Sequence, residues 1–186
     1  MRVALFARWP EPGKAKTRLI PALGAAGAAA LHKRLTERAV ATVKAAGLPL
    51  EVRSTGAAPQ AFRDWLGEDV TVVDQGESDL GARLARAAVT VPVLLLGADV
   101  PDVTAALLRE AAAALAAQPL VIGPAEDGGY WLLGLSTPMP QLFEGVAWGT
   151  ETVFAETLAR APVPPALLPM LADLDRPEDL ARWPGL

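Results

Sequence analysis

Three groups of residues in this chain have the types needed for chemistry on a phosphorylated molecule: cations at Lys14, Lys16 and Arg18, a carboxylate at Asp99, and acids at Asp173 and Asp175. The cations sit in Pro12-Gly13-Lys14-Ala15-Lys16-Thr17-Arg18, and with Arg2 and Arg8 they form a local positive excess opposed in that span only by Glu11. Such an excess suits a small anion held by loop amides and side chains; the competing reading is a solvated charged loop. A Walker P-loop is mostly excluded, because Arg8 replaces its upstream glycine and Ala15 stands where a Ser or Thr should follow the lysine. Asp99 closes Val93-Leu94-Leu95-Leu96-Gly97-Ala98, with Gly97 permitting close approach to the backbone and Pro101 ending the run. Asp99 could cap the next helix, but Asp102 and Thr104 lie nearer its start, so we read Asp99 as functional.

Composition narrows the chemistry. The chain has no cysteine, which removes disulfides, thiolate metal sites and cysteine nucleophiles. Its single histidine, His32, lies in an Ala-rich segment of helical spacing and is expected on a solvated face, which argues against zinc and against a Ser-His-Asp triad. Carboxylates, Lys, Arg, hydroxyls and a hard metal ion remain. The net charge of -4 speaks against a general nucleic-acid binder. With 186 residues, 52% hydrophobic and 20% charged, the chain fits one domain spanning 1–186. No apolar stretch reaches a membrane span and no signal peptide is visible, so the expected location is the cytoplasm, away from membranes.

These groups need a frame that brings them together. Four consecutive large apolar residues, Val93–Leu96, predict a strand buried on both faces, which belongs inside a parallel sheet covered by helices. Ligands of such sheets bind at the carboxyl ends of the strands. Arg2–Ala7 predicts the first strand, broken at Trp9-Pro10-Glu11-Pro12-Gly13, and a helix from about Gly24 to Ala46 is closed by Gly47. Further strands are predicted over 49–54, 70–74 and 120–123, and another where the chain returns after a sharp turn within 123–135. Helices are predicted over 59–66, from an Asp79 cap through Leu84 and Ala88, over 103–117, and from a Thr150 cap to Arg160. Gln75 and Gly81 flank that Asp79 cap, and a side-chain amide that both donates and accepts suits a nucleobase edge. Asp127-Gly128-Gly129 before Tyr130-Trp131 is good hairpin chemistry, although the aromatic pair could also wall a substrate. A last apolar run, 166–171, leads to Asp173 and Asp175, one of which is expected to be free to face the site, and Pro177 opens a final helix.

Taken together, these segments resemble the nucleotide-diphospho-sugar transferase superfamily with the GT-A fold. More closely, the chain is similar to the bacterial radical-SAM/selenodomain-associated transferases, sometimes described as arsenosugar-biosynthesis glycosyltransferases. The matching stretches are Pro12-Gly13 with Lys16-Thr17-Arg18-Leu19, Asp79-Leu80-Gly81 with Arg83-Leu84, Gly97 with Asp99 and Pro101, Asp127-Gly128-Gly129-Tyr130, Trp148 with Thr150, and Asp173, Asp175, Pro177 and Asp179-Leu180. A more distant similarity is to the molybdenum-cofactor and phospholactate guanylyltransferases.

The resemblance implies a three-layer α/β/α fold with a mostly parallel mixed sheet. It implies that Gly13, Lys14, Lys16, Thr17 and Arg18 hold donor phosphates, that Gln75 and Gly81 lie near the base, and that Asp99 and Asp175 bind Mg²⁺ or Mn²⁺. It places Asp127 toward the acceptor, beside Gly128, Gly129, Tyr130 and Trp148, and gives Lys16, Arg18, Asp99 and Asp127 the catalytic roles. One departure is that Ala98 and Val100 flank Asp99 where many members carry a second acid. The expected activity is glycosyl transfer from a nucleoside-diphosphate sugar to a small acceptor. The alternatives are nucleotidyl transfer with pyrophosphate release, and nucleotide binding without catalysis.

Overall fold

The computed structural model describes residues 1–186 and is built on a seven-stranded sheet. Its strands are β1 (Arg2–Arg8), β2 (Leu50–Thr55), β3 (Thr71–Asp74), β4 (Val93–Gly97), β5 (Leu120–Pro124), β6 (Tyr130–Leu135) and β7 (Ala166–Leu167). They are ordered β3-β2-β1-β4-β6-β5-β7. All pairings are parallel except those of β6, which runs antiparallel to β4 and β5. The mixed, mostly parallel sheet and the helices on both faces agree with the sequence reading. The antiparallel strand follows from the Asp127-Gly128-Gly129 turn, because a hairpin can only return antiparallel; Gly128 adopts φ 87°, which glycine reaches without a steric penalty.

Side chains alternate across the sheet and create two cores. On one face Val3, Leu5, Leu94 and Leu96 pack with Val40 and Val43 of α1 (Ile20–Ala46), Phe62 of α2 (Pro59–Leu66) and Leu108 of α4 (Ala105–Ala117). On the other, Ala4, Val93, Leu95 and Leu133 pack with Leu84 and Ala87 of α3 (Leu80–Ala88) and with Phe143. Each fully buried Leu or Val contributes roughly 1.5–3 kcal/mol relative to exposure. β4 is apolar on both sides because it lies between two helix layers.

A third, smaller cluster bears directly on the site. Leu19, Ala28, Leu31 and Leu35 surround Leu174, so the amino-terminal half of α1 holds the carboxyl-terminal segment in place. Leu174 N–H also donates to the Asp99 carbonyl (2.9 Å), tying that segment to the end of β4.

Element ends differ from expectation in three places. α5 (Val153–Arg160) begins after Thr150, because the Thr150 hydroxyl donates to the Ala147 carbonyl (2.8 Å) and folds the preceding loop instead of capping the helix. The segment opened by Pro177 is a 3-10 helix, Pro177–Arg182. α1 begins at Ile20 and is broken at Gly24, with φ 69° and ψ 165°. Thr104 and Asp79 do cap α4 and α3, accepting from Leu107 N–H (3.2 Å) and Ala82 N–H (2.8 Å). No helix is long and apolar enough to cross a membrane.

Candidate functional site

The basic loop leaves β1 through Trp9, whose ring packs edge-on against Phe62 (5.4 Å between centroids) and anchors its start. Gly13 turns the chain at φ 82°, and Ala15 and Leu19 are buried on either side of Lys16. Lys16 itself is left-handed, with φ 49° and ψ 46°, a conformation that costs a non-glycine residue about 1–2 kcal/mol. That backbone sends its side chain inward, where it is 3% exposed.

The Lys16 ammonium lies among three oxygens. It donates to the Leu174 carbonyl (2.5 Å), pairs with Asp99 Oδ1 (2.6 Å) and stands 3.6 Å from Asp175 Oδ1. Arg18 binds the other oxygen of Asp175 at 2.5 Å. Burial pushes the Asp99 carboxyl up, but the charge and hydrogen bond of Lys16 outweigh it and hold the group below its usual range. Asp99 Oδ1 is sealed from solvent, while the side chain as a whole is 51% exposed and faces the cleft.

Asp99 stands in the wall between two cavities. One, of about 470 Å³, is polar and bounded by Arg8, Lys14, Lys16, Thr17, Arg18 and Arg83. The other, of about 330 Å³, is mostly apolar, bounded by Phe6, Leu80, Tyr130, Trp131 and Trp148, and its only ionisable acids are Asp99, Asp127 and Asp173. No Lys or Arg lines this second cavity. Tyr130 and Trp148 meet edge-to-face at 6.5 Å. Burial raises the Asp173 carboxyl, and the nearby charges of Asp127, Asp175 and Asp179 raise it further. Asp173 lines the apolar cavity and Asp175 the basic cleft, yet both also border a third, polar cavity of about 940 Å³; an opposite orientation does not follow, because residues two apart share one side of an extended chain, here the side away from the buried Leu174.

Several expected positions take different roles. Arg2 lies at the opposite end of β1, donating to the Thr90 (2.5 Å) and Ala87 (2.7 Å) carbonyls, and does not join the cation group. Gly13 shapes the loop without lining the cleft. Gln75 is buried at the cleft floor, but its amide hydrogens go to the Arg53 (2.8 Å) and Ala7 (3.3 Å) carbonyls, leaving it no free donor for a base. Gly81 is buried beneath Trp148: a Cβ there would overlap the indole Nε1 and stand 2.9 Å from the Phe143 carbonyl oxygen, so it is a packing glycine. Gly128 is close-packed too, against the Glu151 backbone.

His32 was missed. It is 7% exposed, borders the basic cleft, and its Nε2 lies 3.0 Å from the Arg8 carbonyl oxygen. Burial lowers its pKa, which the Asp99 charge and the Arg8 carbonyl oppose in part. The signal was available, since His32 falls on the same helical stripe as Ala28 and Leu35.

No group of three or more acids or imidazoles forms a ready metal site. The oxygens around Lys16 nevertheless fit a hard divalent ion: Asp99, Asp175 and the Leu174 carbonyl already coordinate one cationic nitrogen, and magnesium needs only one or two carboxylates when phosphate and water complete its shell.

Residues 38–150 match the model of a family described as "Uncharacterized protein conserved in bacteria (DUF2064)". No curated protein matches the chain. Among solved structures, a "putative nucleotide-diphospho-sugar transferase" from Desulfovibrio desulfuricans G20 is 31% identical, with 95% of this chain and 84% of that one aligned at a TM-score of 0.86. A nucleotidyl transferase from Methanothermobacter thermautotroptrophicus is 17% identical over 98% and 95% of the two chains, with a TM-score of 0.60. Glucosyl-3-phosphoglycerate synthase from Mycobacterium tuberculosis, in complex with Mn²⁺, UDP and phosphoglyceric acid, is 9% identical over 97% and 73%, with a TM-score of 0.57. At these identities the last two establish the shared fold.

Proposed function

The chain belongs to the DUF2064 family, and we propose that it is a single-domain transferase that moves a glycosyl group from a nucleoside-diphosphate sugar to a small acceptor. The observation that carries this reading is the position of Asp99, in the wall between a cationic cleft and an apolar, acid-lined cavity. A donor diphosphate fits the first chamber and an acceptor the second, with the sugar at their junction. The similarity to the Desulfovibrio protein supports the donor class, and the Mn²⁺ and UDP of the mycobacterial synthase support the metal and the nucleotide.

Lys14, Lys16, Thr17 and Arg18 take the phosphates, and Arg83 borders the same cleft toward the base. Tyr130 and Trp148 hold the apolar body of the acceptor, with Gly128 and Gly129 shaping the turn that presents Asp127. Asp127, with Asp173 beside it, accepts the acceptor's hydroxyl proton as that oxygen bonds to the anomeric carbon. The carbon–oxygen bond to the diphosphate breaks and the nucleoside diphosphate leaves. Cations aimed at the departing charge supply the electrostatic part of catalysis. A Mg²⁺ or Mn²⁺ held by Asp99 and Asp175 would neutralise further diphosphate charge when bound.

The charge of the second cavity favours this reading over nucleotidyl transfer. A phosphorylated acceptor would have to enter a chamber whose charged lining is entirely carboxylate. Incubation with a panel of nucleoside-diphosphate sugars and nucleoside triphosphates, each with Mg²⁺ or Mn²⁺, tests it. Glycosyl transfer releases nucleoside diphosphate from a sugar donor; pyrophosphate release from a triphosphate would instead establish the nucleotidyl alternative.

A further inference from the structure

The oxygens that suit a divalent ion are already taken. The Lys16 ammonium lies 2.5 Å from the Leu174 carbonyl oxygen, 2.6 Å from Asp99 Oδ1 and 3.6 Å from Asp175 Oδ1, with its side chain almost fully buried. An ion ligated by the same oxygens would overlap that nitrogen, so the two cations exclude each other. We propose that Lys16 fills the cation position of the nucleotide-free protein, and that a divalent metal enters only when donor phosphates draw the ammonium out. This inference rests on the reading of the site as a metal-assisted nucleotide site, and adds an order of binding to it.

Charge balance gives the reason for the order. In the free protein, two carboxylates face two cations, Lys16 and Arg18, the latter 2.5 Å from Asp175 Oδ2. The cluster is therefore neutral, and a free metal ion meets no net attraction. A diphosphate entering the cleft beside Lys14, Thr17 and Arg18 brings at least two negative charges and offers the ammonium new acceptors. Lys16 has a four-carbon stem with rotatable bonds, so the ammonium can swing from cage to phosphate while its left-handed backbone stays fixed. The vacated oxygens, now beside phosphate oxygens, make a site that a hard divalent ion completes.

The test is Mn²⁺ binding to the full chain, read by electron paramagnetic resonance of free Mn²⁺ at fixed pH, which requires no turnover. Lys16→Met keeps most of the apolar stem and removes the ammonium; Lys16→Gln is the second variant should Met disturb folding, with thermal melts confirming the fold. Without nucleotide, wild type should bind Mn²⁺ weakly and the Lys16 variants at least about tenfold more tightly. Adding Asp99→Asn to Lys16→Met should abolish that gain. In wild type, UDP or GDP should raise Mn²⁺ affinity by a similar factor.

If the folded Lys16 variants bind Mn²⁺ no more tightly than wild type, the exchange is wrong, whatever nucleotides do. If the variants gain affinity but no nucleotide binds wild type, the cage assignment stands and the nucleotide-dependent reading falls. Tight Mn²⁺ binding to nucleotide-free wild type would also overturn the proposal, since the ammonium would then be no barrier.

Discussion

Substituting Gly81 by alanine tests whether this glycine serves packing or ligand contact. The new Cβ would overlap Trp148 Nε1 and lie 2.9 Å from the Phe143 carbonyl oxygen and 3.0 Å from Trp148 Cε2. The carbonyl belongs to backbone that cannot yield cheaply, so the indole must move. Overpacking of this kind costs about 1–3 kcal/mol, and an overlap this severe belongs at the upper end. Alanine recovers about 1 kcal/mol of helix propensity, because Gly81 lies inside α3. The net loss is about 2 kcal/mol, or roughly 4–8 °C in melting temperature for a chain of this size. Differential scanning calorimetry measures it, and tryptophan fluorescence reports the displaced indole. Trp148→Phe removes the colliding nitrogen, so the double variant should recover part of the loss, a coupling that two independent sites would not show. Gly97→Ala is the control: nothing lies within 4 Å of its added Cβ, and its stability should match wild type. If Gly81→Ala melts at or above wild type with unchanged fluorescence, the packing account is refuted.

Asp99→Asn keeps the side chain's shape but removes the charge that meets Lys16, and should lower turnover about a hundredfold or more with the fold retained on circular dichroism. Arg18→Ala leaves Asp175 with only the more distant Lys16 and should weaken nucleoside-diphosphate binding by about 1–3 kcal/mol in calorimetric titration, with the wild-type advantage shrinking as salt rises. His32 has a folded pKa below its unfolded value, so the unfolded chain takes up the proton first, and stability should fall as pH drops below about 6.5. Urea midpoints between about pH 7.5 and 5 should therefore decline more steeply for wild type than for His32→Gln.

The parts legible in the sequence were those governed by local pattern. Val93–Leu96 formed the doubly covered strand that its four apolar residues imply, and Asp127-Gly128-Gly129 formed the turn. The errors came where neighbours in sequence are not neighbours in space. Arg2 and Arg8 sit at opposite ends of a seven-residue strand, about 20 Å apart, so counting both toward one anion site mixed two ends of the molecule. Gln75 has the right functional groups for a base, but the strand ends beside it offer two carbonyls that take its amide hydrogens first. His32 was expected on a solvated face, but the Arg8 carbonyl partners it from another element and lets it lie buried on the inner stripe of α1. Lys16 is held by Asp99 and by the Leu174 carbonyl, the latter across 158 residues of separation, and no local pattern encodes either contact.

The tie between Leu174 and the end of β4 has a consequence for biosynthesis. The chain emerges from the ribosome amino-terminus first, at about 5–20 residues per second. β1 to β6 can all be made by Leu135, and the basic loop and Asp99 are present by then. The Leu174 carbonyl and Asp175 reach Lys16 only after the segment beyond β7 has been translated and docked on α1. A nascent chain, or a product of premature termination ahead of Asp173, therefore carries Lys16 and Asp99 without the partners that complete the site. Synthesis itself delays completion of the site until the segment through Asp175 has been added and docked.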